Sequence, residues 1–171
     1  MDPVEQMYHE NILDHYKHPH NFGKMDNASV HHHEYNPLCG DQIEMFIRVE
    51  DGRIADVRFA GKGCAISQAS ASMLTDAAKG KALAEAEQLT KDSILEMLGI
   101  TLTPIRLKCA LLSLDTLKNS IHIYRAYVAK QGDATSDHAH TGERNGRSGY
   151  DGSEGPARFR GRQDDPQWRQ S

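Results

Sequence analysis

The chain has 171 residues, a formal net charge of −4 and three cysteines. The negative charge gives no electrostatic reason to expect a nucleic acid partner, and the sequence has no apolar run of about 18 residues to predict a membrane span. The acidic N-terminus lacks the apolar segment of a signal peptide, and the odd cysteine count argues against a disulfide framework. We therefore expect a cytoplasmic protein with reduced thiols.

Two elements are predicted before the first cysteine. Residues 2–16 carry apolar side chains at roughly helical spacing, and Pro3 suits the first turn of the amphipathic helix that this pattern predicts. Residues 18–23 contain proline and glycine and end that helix. Residues 27–35, which include three consecutive histidines, are predicted to form an edge strand.

A β-hairpin is predicted next. Apolar and polar side chains alternate over residues 42–50, which is typical of a strand with one buried face. Asp51-Gly52 suits a two-residue type I′ turn, so residues 53–60 are expected to return as the second strand.

The register of this hairpin brings candidate ligands together. If pairing continues outward from the turn one residue at a time, Cys39 lies opposite Cys64. Directly opposed residues have Cβ atoms about 4.5–5.5 Å apart, which is close enough to share one metal ion. Asp41 lies two residues from Cys39 and therefore faces the same side of the strand.

The chain after the hairpin is predicted to begin with two helices. Residues 66–78 form the first, which Cys64 directly precedes and which ends near Gly80. Thr90 is the expected N-cap of a second, short helix, and Gly99 closes it.

A long C-terminal helix is predicted to complete the fold. Thr103 is its cap, Pro104 lies in its first turn and Cys109 lies near its start. Residues 131–171 contain no Val, Ile, Leu or Met and cannot bury enough apolar surface to offset the entropy of ordering, so they are predicted to be a disordered tail. The folded domain is therefore predicted to span residues 1–130.

Thiolate chemistry is the main functional signal. A helix N-terminus favours the thiolate, which is the form that binds metals and attacks sulfur, and two of the three cysteines are predicted to lie at such ends. Three thiolates and one carboxylate make a tetrahedral donor set. The candidate metal ligands are Cys39, Asp41, Cys64 and Cys109.

Four neighbours are predicted to support this site. Gly40 and Gly63 remove side chains around the thiols, which lets a cluster or a partner's backbone come close. Arg106 and Lys108 are cations beside Cys109 that would hold its thiolate charged, or alternatively solvated helix residues.

Simpler interpretations of the same residues stay open. The cysteines can be unrelated buried residues, and Asp41 a turn residue after a glycine. A Cys39–Cys64 disulfide is geometrically feasible, although a reducing compartment disfavours it. The histidines at 31–33 offer a metal site, but solvated side chains on an edge strand explain them better.

Three cysteine motifs resemble those of a known family. They are Asn-Pro-x-Cys-Gly-Asp at 36–41, Gly-x-Gly-Cys-Ala-Ile-Ser at 61–67 and Lys-Cys-Ala-Leu-Leu at 108–112. In order and flanks they are similar to the U-type iron–sulfur cluster assembly proteins, namely the IscU, SufU and NifU N-terminal scaffolds, over residues 1 to about 130. Lys108 stands where the IscU type has a histidine and resembles the SufU type, although the chain lacks the SufU insertion between the second and third cysteines.

This resemblance implies both a fold and partners. The implied fold is α+β, with a small three-stranded antiparallel sheet packed against helices and the cysteines at one exposed tip. The implied partners are a cysteine desulfurase and apo iron–sulfur recipients, with a transient [2Fe-2S] cluster, or resting Zn²⁺ and sulfur relay in the SufU type. Cys39 and Cys109 are then the candidate sulfur acceptors, and a monomer or weak dimer is expected.

Three functional hypotheses remain. The first is a scaffold or sulfur-transfer protein, in which Asp41 is the exchangeable ligand because a carboxylate is harder than a thiolate. The second is a structural zinc domain. The third is a thiol enzyme, for which the histidines at 31–33 offer the only nearby general base.

Overall fold

The computed structural model describes residues 1–134, the last two by their backbone alone. Within that part of the chain, five α-helices accompany one antiparallel sheet with strand order β1-β2-β3. The elements are α1 (Pro3–Lys17), β1 (Val30–Asn36), β2 (Asp41–Glu50), β3 (Arg53–Lys62), α2 (Ala65–Ala78), α3 (Leu83–Glu87), α4 (Lys91–Leu98) and α5 (Pro104–Ala134). The predicted α+β fold with a three-stranded sheet and a long C-terminal helix is confirmed.

One face of the sheet is buried by helices. Ile43, Met45 and Ile47 of β2 are fully buried, as their alternation with polar residues predicted. Leu74 of α2 and Leu117 of α5 are equally buried in the same core. These two helices pack on the sheet and on each other, so they hold the open end of the hairpin in a fixed position.

The hairpin turn forms as predicted, but the predicted register of β2 and β3 is wrong beyond the second residue pair. Asp51 and Gly52 have φ values of 51° and 72°, the positive pair that a type I′ turn requires. Val49 pairs with Ile54, but Arg48, one residue farther from the turn, pairs with Asp56, so Ala55 is an unpaired bulge. Beyond the bulge every pairing is displaced by one residue.

This bulge corrects the predicted contact between two cysteines. The displaced register does not place Cys39 opposite Cys64, and β2 begins at Asp41, two residues after Cys39. The spacing of apolar residues in β3 is the sequence signal of the bulge. Residues on one face of a regular strand are an even number of positions apart, but Ile54 and Val57 are three apart and both fully buried.

The helix ends follow the predicted capping residues. Thr90 accepts a hydrogen bond from the backbone of Ser93, and Gly99 ends α4 with φ 63°. Thr103 caps α5 through the backbone N–H of Arg106. The short helix α3 had no counterpart among the predicted elements.

Helix α5 extends past the predicted domain boundary at residue 130. Helix α5 continues to Ala134, so residues 131–134 belong to a helix and not to a tail. The rest of the predicted tail, residues 135–171, lies outside the described residues. No helix in the described part of the chain is long and apolar enough to cross a membrane.

Candidate metal centre

A tight turn between β1 and β2 presents Cys39. The backbone carbonyl of Asn36 accepts a hydrogen bond from Gly40 at 2.8 Å, and the side-chain oxygen of Asn36 accepts one from Leu38 at 3.1 Å. Gly40 adopts φ 71°, a left-handed conformation that a side chain disfavours. Asn36 therefore fixes the loop from within, and Cys39 remains partly exposed at its tip.

Helix α5 brings Cys109 to this loop. The two sulfur atoms of Cys109 and Cys39 are 3.1 Å apart, and Asp41 completes a group whose three ligand atoms all lie within 4.8 Å of one another. Three of the four predicted ligands therefore meet although about seventy residues separate the first from the last.

Asp41 connects the fourth predicted ligand to this group. Cys64 is the N-cap residue of α2, as predicted, and its backbone N–H donates to Oδ1 of Asp41 at 3.1 Å. Its sulfur lies 3.5 Å from the other carboxylate oxygen. Asp41 is only 2% exposed, so it is a buried carboxylate close to the thiols and not a solvated turn residue.

The hydrogen bonds around Asp41 keep it ionised. Burial alone would raise the pKa of this carboxyl, but hydrogen bonds from the Cys39 thiol, the Cys64 backbone and the other two thiols outweigh burial and lower the pKa. A carboxylate that accepts several hydrogen bonds remains an anion and is therefore available as a metal ligand.

Cys109 differs from the prediction that it lies at a helix N-terminus. It lies in the second turn of α5, is fully buried, and its sulfur contacts the backbone carbonyl of Ile105 at 3.4 Å. Burial raises the pKa of the Cys109 thiol, and the hydrogen bond to Cys39 and the charges of Cys64 and Asp41 raise it further. Without a metal this thiol is therefore protonated.

Gly63 leaves room for the carboxylate. A Cβ atom at this position would lie 2.5 Å from Oδ1 of Asp41 and 2.7 Å from Oγ of Ser67. A Cβ at Gly40 would meet nothing within 4 Å, so its backbone conformation is what requires glycine there. The two predicted glycines thus serve the site for different physical reasons.

The predicted cations make no hydrogen bond or ion pair with the thiols within residues 1–134. Arg106 and Lys108 are exposed, and neither forms a hydrogen bond or ion pair with a site residue among the contacts within residues 1–134. Lys108 instead lines a surface cleft together with Glu34 and Asp115. A supporting role for the two cations stays a prediction.

The histidine run faces carboxylates. His31 lies 3.4 Å from Glu44 and stacks on Phe46, and His32 lies 2.8 Å from Glu34. None of the three histidines belongs to a potential metal-binding group within the described part of the chain.

One residue near the site escaped the sequence analysis. The side-chain amide nitrogen of Gln68 is buried without a hydrogen-bond partner among residues 1–134, one turn along α2 from Cys64. Its backbone N–H donates to the Cys64 carbonyl at 3.1 Å. The spacing of four residues from a helix-capping cysteine is the signal that could have found it.

The fold and the site together define a small α+β domain that gathers three thiols around a buried carboxylate. Residues 7–131 match the family described as "NifU-like N terminal domain". The chain belongs to this family, the U-type scaffold family that its three cysteine motifs resemble.

Two curated relatives carry different descriptions. "Iron-sulfur cluster assembly scaffold protein IscU 1" of Archaeoglobus fulgidus is 39% identical over 118 residues, covering 69% of this chain and 76% of the archaeal protein. "Zinc-dependent sulfurtransferase SufU" of Bacillus subtilis is 37% identical over 135 residues, covering 69% of this chain and 91% of the bacterial one.

Solved structures agree with this assignment. A putative iron–sulfur cluster assembly scaffold protein of the SUF system from Fervidobacterium islandicum is similar with a TM-score of 0.59 and 30% identity. The match covers 68% of this chain and 98% of the other.

Proposed function

We propose that this protein is an iron–sulfur cluster assembly scaffold that holds a transient [2Fe-2S] cluster on Cys39, Cys64, Cys109 and Asp41. The observation that carries the proposal is the convergence of Cys39, Cys109 and Asp41 within 4.8 Å, with the Cys64 sulfur 3.5 Å from Asp41. Thiolates are the usual ligands of iron–sulfur clusters, and a carboxylate among them is the ligand most readily exchanged.

Cys39 is the proposed first sulfur acceptor. Its thiolate attacks the outer sulfur of a persulfide on a cysteine desulfurase, the persulfide S–S bond breaks, and the desulfurase cysteine leaves as a thiolate. Cys39 is partly exposed on a loop, whereas Cys109 is fully buried 3.1 Å behind it, so a partner's cysteine reaches Cys39 first. Cys109 is then placed to receive sulfur from Cys39.

A zinc-dependent sulfur relay is the second candidate. Two observations favour it, namely Lys108 beside Cys109 and the similarity to the Bacillus subtilis sulfurtransferase. Three cysteines and one aspartate are also a suitable tetrahedral set for Zn²⁺, which would keep the thiols deprotonated when bound. In either role the proposed partners are a desulfurase and recipient proteins, in the cytoplasm, with the chain as a monomer or weak dimer.

Anaerobic reconstitution tests the proposal. The untagged full chain is incubated with Fe²⁺, cysteine and a desulfurase, and visible absorption, iron and acid-labile sulfide are measured. A scaffold becomes coloured and transfers its cluster to an apo-ferredoxin, whereas Cys39→Ser does neither and the exposed control Asp92→Ala does both. A relay remains colourless, retains zinc and stimulates the desulfurase. Retained zinc without cluster transfer or desulfurase stimulation would support the structural zinc hypothesis.

A further inference from the structure

A second group of side chains that could hold a metal ion lies near the C-terminal end of helix α2, whereas Cys64 lies at its N-terminal end. His15 comes from α1, His20 from the segment after it, and Asp76 from the last turn of α2. One ligand atom from each residue lies within 4.8 Å of the other two. Asp76 is twelve positions beyond Cys64, or roughly 18 Å along a helix, and the group shares no residue with the thiol site.

Both histidines of this group contact the Ser72 hydroxyl, which orients them. Nδ1 of His15 lies 2.7 Å from Oγ of Ser72, and the backbone N–H of His20 donates to the same oxygen at 2.8 Å. A hydroxyl oxygen accepts two hydrogen bonds, so Nδ1 of His15 can carry the proton and leave Nε2 free as a ligand. Metal-binding histidines usually donate their second N–H in this way.

The carboxylate is oriented from its other side. Nδ2 of Asn21 donates to Oδ1 of Asp76 at 2.8 Å, and Oδ2 of Asp76 lies 2.6 Å from Nδ1 of His20. The imidazole rings of His15 and His20 have centroids 4.5 Å apart. Two imidazoles and one carboxylate thus offer ligand atoms within 4.8 Å of one another from three separate parts of the chain, and a bound ion would replace the hydrogen bond between His20 and Asp76.

We propose that His15, His20 and Asp76 bind a divalent first-row transition ion of the Zn²⁺ or Fe²⁺ kind. Two histidines and one carboxylate, with the remaining coordination positions open to water, form a donor set that both ions accept. An open cleft of about 450 Å³, lined by His15, Asp76 and Met97, gives an ion access from solvent. The proposal stands apart from the function of the thiol site, because the two sites have no common ligand.

A purely structural role explains these contacts less well. The side chains of His20 and Asp76 are 51% and 47% exposed, and an ion pair so exposed contributes little to stability. The backbone of His20 is already anchored to α2 through Ser72, so the segment does not need the imidazole to hold it in place.

Zinc stoichiometry tests the proposal. The untagged full chain is dialysed against buffered Zn²⁺, and protein-bound zinc is counted for the wild type, His20→Asn, Asp76→Asn and the control His18→Asn. His18 is an exposed histidine that pairs with Asp14 and lies outside the group. We expect both site variants to lose one zinc equivalent that the control retains, while thiolate-to-metal absorption with Co²⁺ is unchanged. An anaerobic series with Fe²⁺ distinguishes the two ions.

A second measurement distinguishes loss of the proposed metal site from a folding defect of the variants. In wild-type protein, Zn²⁺ should shift the side-chain nitrogen resonances of His15 and His20 but not that of His18. Asn21→Gly, which keeps the positive φ of 54° and removes the amide from Asp76, should weaken this zinc about 10- to 100-fold. Equal zinc content in all variants, or unchanged His15 and His20 resonances, would overturn the proposal and leave a hydrogen-bonded network.

Discussion

Asp41 has the most consequential environment of any single residue in this chain. It is 2% exposed, is surrounded by three thiols and accepts the backbone N–H of Cys64. A carboxylate in this position holds the start of α2 through the Cys64 backbone, and in the proposed scaffold it is the ligand that can leave the metal without breaking a thiolate bond.

The first prediction concerns Asp41→Ala. If the protein is a scaffold, this variant should hold a reconstituted cluster longer in air and transfer it more slowly to an apo-ferredoxin, since the exchangeable ligand is gone. If it is a zinc-dependent relay, zinc affinity and desulfurase stimulation should both fall. The measurements are the decay of visible absorption and the transfer rate.

Stability and a matched carboxylate serve as controls for this variant. The substitution leaves the Cys64 N–H without its acceptor, so the free energy of unfolding should fall by about 1–3 kcal/mol. The exposed Asp92→Ala should behave as wild type in both assays. Wild-type behaviour of Asp41→Ala would remove Asp41 from the site and leave the fourth ligand to another group.

At the scale of elements, two junctions and one helix build the site. The β1–β2 turn presents Cys39, the β3–α2 junction presents Cys64, and the second turn of α5 presents Cys109. The β3–α2 junction approaches β2 so closely that a Cβ atom at Gly63 would require the side chains of Asp41 and Ser67 to shift.

The second prediction tests that close approach with Gly63→Ala. The added methyl group would lie 2.5 Å from Oδ1 of Asp41, so the carboxylate must move away from the thiols. We expect a lower affinity for Zn²⁺, measured by competition with a chelating indicator, in a chain that remains folded. Gly40→Ala is the comparison, because it meets only backbone strain of about 1–2 kcal/mol. Equal zinc affinity in Gly63→Ala and wild type would show that the junction tolerates a side chain.

At the scale of the whole molecule, the hydrophobic core is independent of the thiol site. The fully buried aliphatic side chains lie on the sheet, α2, α4 and α5, and together they form one cluster. We therefore expect a domain with such a core to fold without a metal ion, in contrast to a zinc finger.

The third prediction is that zinc stabilises this protein without being required for its fold. Mass action predicts about 2.7 kcal/mol of added stability at a zinc concentration one hundred times the Kd. Thermal melting followed by circular dichroism, with zinc and with a chelator, measures the difference. Complete unfolding on chelation would instead support the structural zinc hypothesis.

The fourth prediction is that deletion of residues 135–171 leaves folding and metal binding intact. These residues contain no Val, Ile, Leu or Met, and the buried hydrophobic residues of the described part lie between Ile12 and Ile121. The melting temperature should change by no more than a few degrees. A larger fall would mean that the deleted segment packs on the domain, and truncation after residue 130 is the comparison that also removes the last turn of α5.

The amino-acid sequence by itself determined most of the local structure. Alternation predicted β2, capping residues predicted the ends of α4 and the start of α5, and the dipeptide at 51–52 predicted the turn. These features depend on neighbours within a few residues, so the sequence contains their physical causes. The motifs also predicted the four candidate ligands, because the identities of metal-binding side chains are visible without a fold.

Only the tertiary structure decided how those ligands meet. The bulge at Ala55 shifts the register by one residue, so Cys39 does not lie opposite Cys64. Helix α5 places the sulfur of Cys109 next to that of Cys39 instead. Packing of α5 on the sheet buried Cys109, and the approach of Cys64 made Asp41 a buried carboxylate close to the thiols. Such contacts depend on how helices pack over a sheet, and no spacing along the chain encodes the distance between residues on separate elements.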